Sequence, residues 1–386
     1  MIGKVLTPRE MIVGGGAVKE LPDLLARLGL GRPLIVTDPH LIEIGKPAIV
    51  TDMLDRAGTP WTVFSDITGE PDTDTVDAGV AALKAGDFDC MIALGGGSPM
   101  DTAVLVSLLN RHGGAMRDYK VPRDNHQVGL PVIAIPTTAG TGAEATRFAV
   151  VTDLEADEKM PIMGSAVVPT AAIVDYELTF TVSFRTTADT GIDSLTHAIE
   201  AYVSRKAHPY TDTLALAAMG RLARHTRTAC REPDNAEARE QMMIGALQAG
   251  MAFSNASVAL VHGMSRPIGA FFHVPHGLSN AMLLPAVTAF SAPAALARYA
   301  DCAWAMGLCG DDIGDQSAVA HLLDELRQLN ADLAVPTPKA YGIAKARYDE
   351  VVPTMAEQAL VSGSPNNNPR IPSADEIVSI YREVYE

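Results

Sequence analysis

The sequence predicts two domains, an α/β one over residues 1–180 and an all-α one over 181–386. Three observations predict this. Short apolar strands alternate with helical patterns in the first half, long Ala- and Leu-rich stretches of helical spacing fill the second, and glycine-rich turns follow two of the strands. A chain of 386 residues has ample material for two hydrophobic cores.

In the first half, residues 33–37 (PLIVT) and 62–64 read as strands, while 45–57 and 73–85 read as helices. The rhythm continues with a strand at 89–94 (DCMIAL), a helix from 98 to about 110, and strands at 131–135 and 171–174. Strands separated by helices imply a parallel sheet covered on both faces. From about Thr181 the pattern turns helical, most clearly over 193–204, 210–226, 236–254 and 294–306. Residues 362–372 (SGSPNNNPRIP) form a loop ahead of a last amphipathic helix, 373–385, where Ser373 and Glu376 have the spacing of a capping box.

A formal charge of −16 opposes broad contact with nucleic-acid phosphates or anionic lipid, so neither is expected as a partner. The four cysteines, Cys90, Cys230, Cys302 and Cys309, form no CxxC pair, which fits a reducing cytoplasm better than a disulfide framework. The opening MIGKVLTPRE lacks an export pattern, and no apolar run reaches the length of a membrane span, so a cytoplasmic protein is expected.

After DCMIAL comes Gly95-Gly96-Gly97-Ser98-Pro99-Met100-Asp101. Glycines let backbone approach a phosphate, Ser98 suits a cap, Pro99 suits a first helical turn, and amides at a helix start attract a pyrophosphate. A second turn, Pro136-Thr137-Thr138-Ala139-Gly140-Thr141-Gly142, follows the strand LPVIAI and is expected to lead into another helix. Both lie at carboxyl ends of strands, where open α/β sheets bind ligands. Asp38 ends the strand LIVT, placed either to accept from an adenosine ribose, which favours NAD over NADP, or simply to cap a helix.

In the second half, Asp193 and His197 stand at i and i+4 on one face of a helix. His262, His273 and His276 fall within fifteen residues of an apolar stretch. Asp193, His197, His262 and one of His273 or His276 would give a carboxylate and three imidazoles, a set suited to Fe²⁺ or Zn²⁺ with a position open to substrate.

Together these motifs resemble the iron-containing (group III) alcohol dehydrogenase family over nearly the whole chain. In order they are VTD at 36–38, GGGSPMD at 95–101, PTTAGTGAE at 136–144, GIDSLTHAIEAYVS at 191–204, VHGMSRPIGAFFHVPHG at 261–277 and NPRIP at 368–372. The resemblance implies a Rossmann-like dinucleotide-binding domain followed by a helical metal-binding and catalytic domain, a dehydroquinate synthase-like architecture. It implies an enzyme that interconverts a small alcohol and its aldehyde with NAD and Fe²⁺, or Zn²⁺ in the same ligands. By motif position the metal ligands are Asp193, His197, His262 and His276. The nucleotide contacts are Asp38, Gly95, Gly96, Gly97, Ser98, Asp101, Thr137, Thr138 and Lys159, with Phe253 beside the nicotinamide.

One departure stands out. Where many members carry HxxxHP, this chain has His262-Gly263-Met264-Ser265-Arg266-Pro267. Arginine is no general base at working pH but grips anionic oxygen pairs well, so Arg266 is expected to bind an acid group on the substrate, as in succinate semialdehyde and 4-hydroxybutyrate. His273, left free by the ligand set, is the candidate for passing a proton to solvent. Alternatives are a polyol dehydrogenase of the glycerol type, an NAD-dependent lyase on the same scaffold, and a nucleotide-binding regulator without turnover. A homodimer or larger closed assembly is expected.

Overall fold

The computed structural model describes residues 3–156, 158–310 and 312–386. The chain divides into two compact units, Lys4–Thr181 and Val182–Glu386, the latter joined by Gly3.

The first unit contains β1 (Glu10–Val13), β2 (Pro33–Val36), β3 (Thr62–Phe64), β4 (Cys90–Gly95), β5 (Val132–Pro136), β6 (Phe148–Asp153), β7 (Glu158–Met163) and β8 (Ala171–Val174). Six of these form one parallel sheet in the order β1-β8-β5-β4-β2-β3. Its helices are α1 (Leu21–Leu28), α2 (Pro39–Glu43), α3 (Ala48–Arg56), α4 (Thr73–Lys84) and α5 (Gly97–His112). Successive strand residues point to opposite faces, so each strand feeds two cores. Leu34, Val36, Met91, Ala93, Val132 and Ala134 join one cluster, whereas Ile35, Ile92, Leu94, Ile133 and Ile135 join the other. Burial on both faces explains why these strands read as unbroken apolar runs.

The helix expected after the second glycine turn does not form. Gly142 enters a 3₁₀ turn, Ala143–Ala145, in the left-handed conformation, and Thr146 leaves it extended into β6. Residues 146–151 (TRFAVV) are rich in β-branched and aromatic side chains, and β6 pairs antiparallel with β7 as a separate two-stranded sheet. Asp101 of α5 fastens this pair, its Oδ2 accepting from Val150 N at 2.9 Å.

The second unit is helical: α6 (Phe184–Val203), α7 (Pro209–Arg231), α8 (Ala236–Asn255), α9 (Leu260–Phe272), α10 (His276–Ser291), α11 (Leu296–Ala305), α12 (Asp315–Asp332), α13 (Pro338–Tyr341), α14 (Lys345–Val361) and α15 (Ala374–Val384). Helix α6 runs through its middle, with nearly every side chain from Thr187 to Val203 buried. Gly191 permits that close packing, since a Cβ there would stand 2.7 Å from Thr226 Cγ2 and 2.8 Å from Met242 Cε. The final capping box is formed as expected: Ser373 N donates to Glu376 Oε2 at 2.8 Å and Glu376 N to Ser373 Oγ at 3.2 Å. All four cysteines are free thiols. Among the described residues no single helix is long and apolar enough to cross a membrane.

Candidate metal centre and nucleotide turn

The candidate nucleotide turn is built mostly from backbone. Strand β4 ends at Gly95, whose φ of 152° and whose neighbour Pro99, 2.6 Å from where a Cβ would lie, admit only glycine. Gly96 is the N-cap of α5, and among the described residues no side chain caps that helix. Ser98 is therefore not the cap expected of it; it sits inside the first turn, where its carbonyl accepts from Thr102 Oγ1 at 2.8 Å. The uncapped start leaves the first-turn amides and the positive end of the helix dipole to an anion.

The second turn lies against the first. Thr137 N donates to Gly95 O at 2.9 Å, Thr138 Oγ1 stands 3.6 Å from the open Cβ position of Gly96, and Thr141 Cγ2 stands 3.1 Å from that of Gly97. One strand over, Asp38 caps α2 through Leu41 N at 2.9 Å and stays partly exposed. Asp101 is engaged with β6, and burial lifts its carboxyl to about 7. Lys159, on β7, is ion-paired with Glu70.

The candidate metal centre is built from side chains. Helix α6 supplies Asp193 and His197, α9 supplies His262, and His276 is the first residue of α10. Asp193 Oδ1 lies 3.8, 3.5 and 3.8 Å from Nε2 of His197, His262 and His276, and all four donors fall within 4.8 Å of one another. Four donors at about 2.1 Å from one ion in a tetrahedron stand about 3.4 Å apart, so the spacing and the N/O chemistry fit a divalent transition metal. Side-chain exposure is 3–5% for Asp193, His197 and His262 but 37% for His276, so the centre opens at His276. His273, the other histidine of this stretch, is an exposed left-handed cap of α9 with φ of 53° and stands outside the cluster.

Electrostatics prepare the donors. Burial would raise the Asp193 carboxyl, but His197, His276 and His262 outweigh it and hold the group well below the ordinary carboxylate range. Burial drives His197 down to about 3 despite Asp193, which leaves its ring neutral. In the ion-free protein His262 rises to about 9, because Asp193 and Glu200 overcome its burial.

Two further residues contact this cluster and are absent from the sequence-based set. Glu200, buried on α6, accepts from His262 Nδ1 at 2.7 Å. Asn280, buried on α10, donates from Nδ2 to Asp193 Oδ1 at 2.6 Å and lies 3.2 Å from Nε2 of His262 and of His276. Spacing carried a signal for both, since Glu200 is seven residues after Asp193 and Asn280 four after His276, each on the ligand's own face. Phe253 stacks on His197 with ring centroids 4.2 Å apart. Arg266, one turn after His262, donates from Nη1 to Ser364 Oγ at 3.2 Å.

The sequence matches the family described as iron-containing alcohol dehydrogenase over residues 8–176, and the Fe-containing alcohol dehydrogenase family, C-terminal, over residues 187–385. The chain belongs to the iron-containing alcohol dehydrogenase family. Among this dehydrogenase's relatives, long-chain-alcohol dehydrogenase 1 of Geobacillus thermodenitrificans is 37% identical over 94% of this chain and 93% of its own. A solved 1,3-propanediol oxidoreductase superposes with a TM-score of 0.95 at 32% identity, covering all of both chains. Sulfoacetaldehyde reductase from Bifidobacterium kashiwanohense, solved in complex with NAD⁺, superposes with a TM-score of 0.90 at 27% identity, over 100% of this chain and 99% of its own.

Proposed function

We propose that this dehydrogenase interconverts small primary alcohols and aldehydes with NAD, and that Asp193, His197, His262 and His276 hold its Fe²⁺ or Zn²⁺. The observation that carries the reading is the buried one-carboxylate, three-imidazole set, which opens to solvent on the side of a single ligand. When bound, the ion supplies Lewis acidity toward the substrate oxygen and the dinucleotide supplies the hydride acceptor or donor.

The chain's own residues do the remaining work. The uncapped start of α5, with Gly95, Gly96, Gly97 and Ser98, receives the pyrophosphate, while Thr137 and Thr138 lie beside it. Asp101 anchors the β6–β7 pair that carries Lys159, and Lys159 takes the cofactor role that its motif position implies. Asp38 repels a 2′-phosphate and so selects NAD. Phe253 keeps water from one face of His197. His273, exposed three residues before His276, passes protons to solvent; its replacement by Ala shifts the pH profile of turnover, and an unchanged profile removes it from the mechanism.

Arg266 sets the substrate class in this reading. Among the described residues its guanidinium makes one hydrogen bond, to a serine hydroxyl, and no ion pair; the nearby Glu200 is already occupied by His262. A cation with donors to spare, one turn from a metal ligand, favours an aldehyde bearing a carboxylate or sulfonate, such as succinate semialdehyde. The likeness to a sulfoacetaldehyde reductase supports the same class. The test is NADH oxidation by the metal-loaded protein with acid-bearing and uncharged aldehydes. Arg266→Ala is expected to lower kcat/KM for the acids by about 10- to 100-fold, the worth of a charged hydrogen bond. An equal loss on uncharged aldehydes would sink the anion assignment.

A further inference from the structure

Glu200 joins the start of one core helix to a histidine of the four-donor cluster. It is 3% exposed, and its two oxygens take three hydrogen bonds, from Val261 N at 2.6 Å, from Ala259 N at 2.8 Å and from His262 Nδ1 at 2.7 Å. The two amides belong to the start of α9, where among the described residues no other side chain serves as cap, and a carboxylate at that end is favoured by the helix dipole. The same Oε2 that accepts from Ala259 also faces the imidazole of His262. One acid therefore fixes both the start of the helix and the ring that the helix carries.

We propose that Glu200 is a positioning residue for the ion: its carboxylate keeps the proton of His262 on Nδ1, so that Nε2 turns its lone pair to the metal. The inference rests on reading Asp193, His197, His262 and His276 as a metal centre. An acceptor behind a ligating imidazole fixes its tautomer and ring plane and raises its basicity. An ionised carboxylate has only acceptors, so it suits all three donors at once. Glutamine in the same place cannot, because its amide group would confront either Val261 N–H, at the Oε1 position, or both Ala259 N–H and the Nδ1–H of His262, at the Oε2 position. In the second case the ring takes the opposite tautomer, with a proton on the nitrogen that the ion needs.

The test titrates metal-free wild type, Glu200→Gln and Asn235→Ala with Zn²⁺ against a competing chelator and records the melting temperature of each without metal. Asn235 caps α8 through Ala238 N at 3.0 Å, far in role from the metal, and so reports what losing a helix cap alone does. Glu200→Gln is expected to bind Zn²⁺ about 10- to 100-fold more weakly, the usual effect of losing such a partner, while Asn235→Ala melts lower yet keeps wild-type affinity. If Glu200→Gln melts lower but binds Zn²⁺ as wild type does, Glu200 is only a helix cap and the proposal is overturned. If wild type itself binds no Zn²⁺, the metal reading falls and the proposal with it. Should Glu200→Gln not fold, ¹⁵N-histidine spectra of the Zn²⁺-loaded wild type decide. A protected Nδ1–H on His262 with Nε2 on the metal supports the proposal, and metal on Nδ1 or a freely exchanging proton overturns it.

Discussion

Three buried carboxyl groups, two in the first unit and one in the second, behave oppositely. In the first, Glu144 and Asp101 face no cation, and burial pushes both up to about 7. In the second, Asp193 is at least as deeply buried but faces three imidazoles, which hold it well below the ordinary range. The difference lies in the neighbours and not in the depth: an acid enclosed by backbone and apolar groups prefers its proton, while one enclosed by nitrogen donors keeps its charge. The same contrast runs through the sites themselves. The nucleotide turn presents backbone amides and leaves little room for side chains, whereas the metal centre consists wholly of side chains and of the residues that hold them.

Near-isosteric changes separate the two. The largest effect is expected from Asp193→Asn, which removes the only carboxylate of the donor set. Metal content should fall to background and turnover by about 10³-fold, the several kcal/mol a Lewis-acidic ion supplies. Elemental analysis beside an NADH-oxidation assay reads both. Gly95→Ala comes next. A positive φ of 152° and a clash with Pro99 at 2.6 Å cost about 1–3 kcal/mol locally, so NADH binding followed by fluorescence should weaken sharply while metal content stays whole. If metal is lost together with NADH, the two sites are not independent in the way their construction suggests.

Asp38→Ser retains a cap for α2 but removes the charge. The ratio of kcat/KM for NADH over NADPH is expected to fall at least about tenfold, as the removed repulsion of two nearby surface charges allows. The smallest effect is expected from Glu144→Gln. Because the folded protein raises this group above its ordinary 4.5 to about 7, the stability tied to its protonated form is complete at low pH and is lost as pH rises through 7. Glutamine imitates the neutral acid, so the drop in melting temperature between pH 5 and pH 8 should shrink in the variant. A drop of unchanged size would mean that Glu144 is not the group responsible.

The parts of the fold that could be read in sequence are those where burial is complete and local. PLIVT, DCMIAL and AAIV lie deep in a parallel sheet, so their apolar runs announce them. Strand β1, EMIV, is four residues at a sheet edge and only half-buried, too short for a pattern to emerge. Strand β6 did carry an alternation of partly and fully buried residues, but the glycine turn ahead of it imitated a helix entry.

The metal centre was legible as residue types and only partly as geometry. Asp193 and His197 share a helix face, which spacing reveals, whereas choosing between His273 and His276 required either the family motif or the fold. The turn from α9 to α10 makes one an exposed left-handed cap and places the other in the four-donor cluster, at a helix start. Glu200 escaped because a glutamate on a helix ordinarily faces water. Its role follows only from the burial of α6 on every side and from the start of α9, some 60 residues on, meeting it there.

Metal dependence tests the four-donor centre most directly. The purified protein, stripped by chelation and reloaded stepwise with Fe²⁺ or Zn²⁺, should oxidise NADH with a small aldehyde in proportion to occupancy, saturating at one ion per chain, and Asp193→Asn should neither bind nor respond. Full turnover by the stripped protein, or full reloading and activity in Asp193→Asn, would contradict the four-ligand centre and the chemistry assigned to it.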